Sequence, residues 1–162
     1  MTACLLGASK ATHDTLRAVS LGSPPPDFVF DTGSGPVRLS ALSGKPVVIN
    51  FWASWCLPCL DELEIFSRAQ AEYGGRINII TLSNERDGLA RAYLLRHHLQ
   101  RVPLAEDVTS RVFKSYTIEE IPVTLVLRGD GTVGYLSVGE LEWDDLHGAI
   151  ESALGGGSGE GT

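Results

Sequence analysis

Apolar and polar positions along this 162-residue chain change period several times, and each change marks an element. Val47 to Trp52 and Ile77 to Leu82 are short apolar runs without strict alternation, the pattern of strands covered on both faces. Between them Leu60, Leu63, Phe66, Ala69 and Tyr73 recur every three or four positions, which predicts a helix with one apolar face, ended by Gly74-Gly75. Glu85 to Leu99 reads as a second helix with Leu89, Ala92 and Tyr93 inward, and a short helix follows around Ser110 to Tyr116. Val123 to Leu127 and Thr132 to Val138 flank Gly129-Asp130-Gly131, a hairpin turn. A last helix over Glu142 to Leu154 buries Trp143, Leu146 and Ile150.

Ahead of these, a short helix is expected around Thr12 to Val19, followed by the stiff run Ser23-Pro24-Pro25-Pro26. Phe28 to Phe30 and Val37 to Leu39 read as strands joined through Asp31-Thr32-Gly33-Ser34-Gly35, and Leu42 to Pro46 as a turn. The expected organisation is an N-terminal segment or tether (1–24), one domain (25–154) and a flexible glycine-rich tail (155–162). Strand–helix–strand–helix, then a hairpin and a terminal helix, predicts an α/β fold: a mixed sheet flanked by helices, with an N-terminal β-hairpin extension.

Composition adds few constraints. A net charge of -7 argues against nucleic acid or an anionic membrane surface as partner. No apolar run reaches the length of a transmembrane helix. The start lacks the basic residues of a signal peptide, yet Thr2-Ala3-Cys4 resembles the end of a bacterial lipobox. A lipid anchor at Cys4 and a free cysteine without a role stand level on the sequence.

The chemistry concentrates at Phe51-Trp52-Ala53-Ser54-Trp55-Cys56-Leu57-Pro58-Cys59, a C-x-x-C between a predicted strand and a predicted helix. The first sulfur then caps the helix N-terminus, where unpaired N–H groups and the macrodipole favour a thiolate. The second thiol lies within reach of a mixed disulfide formed at the first, which is thiol–disulfide exchange chemistry. Half a zinc site would want two more Cys or His ligands at suitable spacing, and a structural disulfide across so short a loop would constrain little chain entropy.

These residues resemble the thioredoxin fold, and further stretches resemble its extracytoplasmic TlpA/ResA-like branch, which includes the cytochrome c maturation thioredoxins. They are Pro26-Asp27-Phe28, Leu39 to Pro46, Asn50 to Cys56, Ile121-Pro122-Val123-Thr124 and Gly129-Asp130-Gly131. The resemblance covers about Pro26 to Leu154 and implies a three-layer thioredoxin-like domain. It also implies a cis Ile121-Pro122 peptide facing the active site, where sequence alone favours a trans proline opening an edge strand. Trp55, Leu57, Pro58, Ile121 and Pro122 become the docking surface, with Gly139 bordering the groove.

Two positions depart from cytoplasmic thioredoxins. Their buried aspartate six residues before the first cysteine is Asn50 here, and Glu64 stands where most members have a helix-kinking proline. The extracytoplasmic branch carries a glutamate three residues after the second cysteine, and Glu62 occupies that place. Glu62 is expected to manage the Cys59 proton, against the alternative of a solvated first-turn acid.

The expected function is a thiol–disulfide oxidoreductase in which Cys56 attacks, Cys59 resolves and Glu62 assists, with no cofactor beyond the redox-active disulfide. The resemblance implies a monomeric reductant outside the cytoplasm, acting on protein disulfide or dithiol substrates and fed by a membrane electron donor. Cytoplasmic placement is the alternative. A Cu(I) metallochaperone using Cys56 and Cys59 would want a third ligand, and Met1 is the only methionine. A peroxiredoxin-like peroxidase would want threonine three residues before its cysteine, where Ala53 stands.

Overall fold

The computed structural model describes residues 16–155. Two sheets are present among them. β1 (Val29–Phe30) and β2 (Val37–Arg38) form a small antiparallel hairpin. The main sheet has five strands in the order β5-β4-β3-β6-β7: β3 (Val47–Phe51), β4 (Asn78–Ser83), β5 (Leu104–Glu106), β6 (Val123–Leu127) and β7 (Val133–Val138). β3 runs parallel to β4 and antiparallel to β6, so the strand direction changes beside the central strand.

Every residue of β3 is buried, as its unalternating pattern requires. Val48 and Trp52 join the core under α1 (Leu57–Tyr73), α2 (Leu89–Arg96) and α4 (Trp143–Gly155). Val47, Ile49 and Phe51 point into the opposite core, beside α3 (Arg111–Ser115), the hairpin residue Phe28, and Leu16 and Val19. This is a thioredoxin-like α/β fold: a mixed sheet with helices on both faces and a separate N-terminal two-stranded sheet.

Several elements differ from expectation. Residues 16–18 form a turn rather than the end of a helix, and positions 12–15 lie outside the described residues. Leu39 opens a one-turn 3-10 helix (Leu39–Leu42) instead of extending β2. α2 starts at Leu89, not Glu85, because Asp87 and Gly88 both take left-handed backbone angles and break the helix. Its inward face is therefore Ala90, Tyr93 and Leu94, while Leu89 and Ala92 are exposed. β5 has no counterpart in the predicted pattern, being three residues long behind Pro103. Trp143 is half-buried, with the Arg68 guanidinium 3.8 Å above its ring, which ties α4 to α1. Among the described residues no helix is long and apolar enough to cross a membrane.

Candidate active site

The site lies where the chain leaves the C-terminal end of β3. Trp52 stays tied to β4, its N–H donating to the Leu82 carbonyl at 3.0 Å, and the turn that follows closes with the Cys56 N–H on the Ala53 carbonyl at 3.1 Å. Glu85, just past β4, grips this turn from outside. Its Oε2 accepts the Ser54 N–H at 2.8 Å and the Ser83 hydroxyl at 3.1 Å, and its Oε1 accepts the Ser54 hydroxyl at 2.6 Å. One carboxylate thus fixes the loop that presents Trp55 and Cys56.

Cys56 is the N-cap of α1, in extended conformation, and its sulfur accepts the Cys59 N–H at 3.4 Å. Pro58 in the first turn sits where a missing N–H leaves no helical bond unmade. The two sulfurs form a disulfide. Both cysteines are buried, whereas Trp55 and Leu57 are 71% and 74% exposed and stand beside them as bare apolar surface. Pro58 is exposed with them.

Facing the pair from β6's approach, the Ile121 carbonyl oxygen lies 3.9 Å from the Cys56 sulfur. The Ile121-Pro122 peptide is cis. Gly139, at a φ of 103° that favours glycine, turns the chain after β7 so that its N–H donates to the Pro122 carbonyl at 2.8 Å. Cys56, Ile121, Pro122 and Gly139 therefore meet at one face, as their sequence positions alone would not reveal.

Glu62 lies behind that face and is buried, not a solvated first-turn acid. Its Oε1 accepts the Leu141 N–H at 2.6 Å and its Oε2 faces the Asn50 Nδ2 at 3.4 Å. Asn50 also donates towards the Thr124 hydroxyl at 3.1 Å and the Val123 carbonyl at 3.3 Å. Register explains the cluster: Thr81, Asn50 and Thr124 pair side by side on β4, β3 and β6, a buried polar row across an apolar sheet face. Burial pushes the Glu62 carboxyl up to about 8. The Leu141 and Asn50 hydrogen bonds oppose that rise, and the charge of Glu140 adds to it.

Other titratable side chains fall elsewhere. Glu119 and Glu120 are exposed just ahead of Ile121. His97 stacks on Tyr93 with ring centroids 4.1 Å apart, and His147 packs beside Tyr73 and Trp143. Cys4 lies outside the described residues. Among those described, no group of three or more His, Cys, Asp or Glu side chains could hold a metal ion, so these residues offer Cu(I) only the two sulfurs. Buried Ala53 offers no hydroxyl for peroxidase chemistry. Glu85, Ser54, Thr124 and Leu141 are participants that the linear pattern does not single out.

This fold with this cysteine pair defines a thioredoxin-fold thiol–disulfide oxidoreductase of the TlpA/ResA-like kind. The chain belongs to the AhpC/TSA family, which it matches over residues 21–136. It is 26% identical over 135 residues to the thiol-disulfide oxidoreductase ResA of Bacillus cereus, covering 82% of this chain and 78% of that protein. With the Bacillus subtilis ResA it shares 26% identity over 148 residues, 89% of this chain and 83% of the relative. Among solved structures it is similar to a candidate thiol:disulfide interchange protein DsbE of Chlorobium tepidum. There the identity is 28%, the TM-score 0.73, and the match covers 85% of this chain and 99% of that one.

Proposed function

We propose that the protein reduces disulfides in partner proteins outside the cytoplasm, using Cys56 as nucleophile, Cys59 as resolving thiol and Glu62 as acceptor of the Cys59 proton. The Cys56 thiolate attacks a substrate disulfide, forming a mixed disulfide and releasing one substrate thiolate. Cys59 then loses its proton and attacks the Cys56 sulfur, releasing the second substrate thiolate and leaving the Cys56–Cys59 disulfide. Two electrons pass to the substrate, and a membrane-bound dithiol donor returns them.

The observation that carries this reading is the setting of the pair. A buried disulfide lies beside bare Trp55 and Leu57, with the Ile121 carbonyl 3.9 Å from the Cys56 sulfur. An extended substrate segment would rest on the apolar side chains and hydrogen-bond to that carbonyl, while its sulfur meets Cys56. Placement outside the cytoplasm rests on the resemblance of the motifs and on the compartments in which protein disulfides persist. An anchor through a lipidated Cys4 suits the same location.

The test is a trap. In Cys59→Ser the mixed disulfide on Cys56 should stall, and proteins retained on it should separate only with reductant. Recovery of no disulfide-linked partner from the extracytoplasmic fraction, with Cys56 free and reactive, would reject protein disulfides as the substrate.

A further inference from the structure

We propose that Asn50 is a positioning residue that sets the proton affinity of Glu62, because the neighbouring backbone pins its amide with the N–H side towards the carboxylate. The inference deepens the reading of Glu62 as acceptor of the Cys59 proton and takes its functional meaning from it.

Asn50 is buried on β3, one residue before its end. Its Nδ2 has three neighbours: the Thr124 hydroxyl at 3.1 Å, the Val123 carbonyl at 3.3 Å and Glu62 Oε2 at 3.4 Å. A hydroxyl suits either end of an amide, but a carbonyl only accepts. Inverting the side chain would bring two acceptor oxygens together at the Val123 position, so Val123 holds the N–H side in place. The other end confirms that nothing competes: the buried Oδ1 has no partner among the described residues. An unpaired buried acceptor is costly, and the chain tolerates it while keeping the donor on Glu62.

A donor aimed at a carboxylate favours its charged form. Burial holds the Glu62 carboxyl at about 8 even with the Asn50 and Leu141 donors in place. Without Asn50 it would keep its proton to higher pH, so a smaller ionised fraction would stand ready to receive the Cys59 proton near neutrality. Aspartate would fail at this position. Ionised, it offers no donor to Val123 and sets a second negative charge against Glu62. Around Glu62, β3 and β6 present the uncharged Asn50 and Thr124, the loop before α4 presents the Leu141 N–H and the charge of Glu140, and α1 carries Cys59 with Cys56 as its N-cap.

The experiment uses Asn50→Leu and Asn50→Asp in the whole reduced chain. Two readouts are followed: the Glu62 carboxyl band by infrared titration, identified by its loss in Glu62→Gln, and the pH profile of mixed-disulfide resolution. The Glu62 midpoint should move up by about one pH unit in Asn50→Leu, since a hydrogen bond to a charged group is worth about that much. Resolution near pH 7 should slow about tenfold, with the difference closing at alkaline pH. Asn50→Asp should move the midpoint in the same direction, and its near-identical shape keeps the test alive if the leucine variant does not fold. A midpoint unchanged in the folded variants would overturn the proposal, whatever happens to stability. A raised midpoint with an unchanged resolution rate would uphold the control by Asn50 and remove Glu62 from the exchange reaction.

Discussion

Glu62 is buried, on the same helix as Cys59 and three residues from it, under conditions that make its negative charge costly. A carboxyl held at about 8 has a proton affinity close to that of a thiol, so a proton passes between such groups with little free-energy change. In Glu62→Gln, which keeps an acceptor for the Leu141 N–H, resolution should slow by about 10²-fold near neutrality and converge on wild type at alkaline pH, where hydroxide takes the thiol proton without a side-chain base. Stopped-flow tryptophan fluorescence would follow it, since Trp52 and Trp55 flank the turn. Equal rates from pH 6 to 9 would leave the chemistry to the two cysteines. The same variant has a stability signature. Because the folded-state value is raised, the contribution of Glu62 to stability is whole below about 4.5 and is lost as pH climbs to about 8. The melting temperature of wild type should therefore fall relative to Glu62→Gln across that window, by the equivalent of at most about 5 kcal/mol. Parallel melting curves between pH 4.5 and 8 would mean the carboxyl is not held neutral.

At the scale of elements, the active-site turn depends on a contact from a different strand connection. Glu85→Ala removes the acceptor for the Ser54 N–H and two hydroxyls at once, so it should cost about 1–3 kcal/mol of stability. It should also slow attack by Cys56 while leaving the resolving step less affected, a division that single-turnover kinetics would read. An attack rate equal to wild type would show that α1 alone positions the cysteine. Such contacts mark the boundary of what the sequence reveals. β3, β4, α1 and the β6–β7 hairpin were legible because their apolar periods are long or unbroken. The C-x-x-C was legible because its spacing is itself the chemistry. β5 escaped because three residues cannot display a period, and the start of α2 because Asp87 departs from its usual backbone region. Glu62 was legible only through resemblance. Its partner Leu141 lies 79 residues along the chain in the loop before α4, and Thr124, which holds Asn50 beside it, is brought in by sheet register rather than local pattern.

Across the whole molecule, net charge is -7 while the surface next to the cysteines is apolar. That contrast favours contact with an extended apolar segment over attraction by charge. The central claim is that electrons leave through Cys56 and that Cys59 completes the transfer. It is tested most directly by mixing the reduced protein with a disulfide-containing substrate protein, quenching with acid and weighing the products by mass spectrometry. Wild type should convert one substrate disulfide to two thiols per Cys56–Cys59 disulfide formed, Cys59→Ser should accumulate a mixed disulfide on Cys56, and Cys56→Ser should transfer nothing on that time scale. Substrate reduction by Cys56→Ser at the wild-type rate, or a mixed disulfide found on Cys59 in the wild-type reaction, would contradict it.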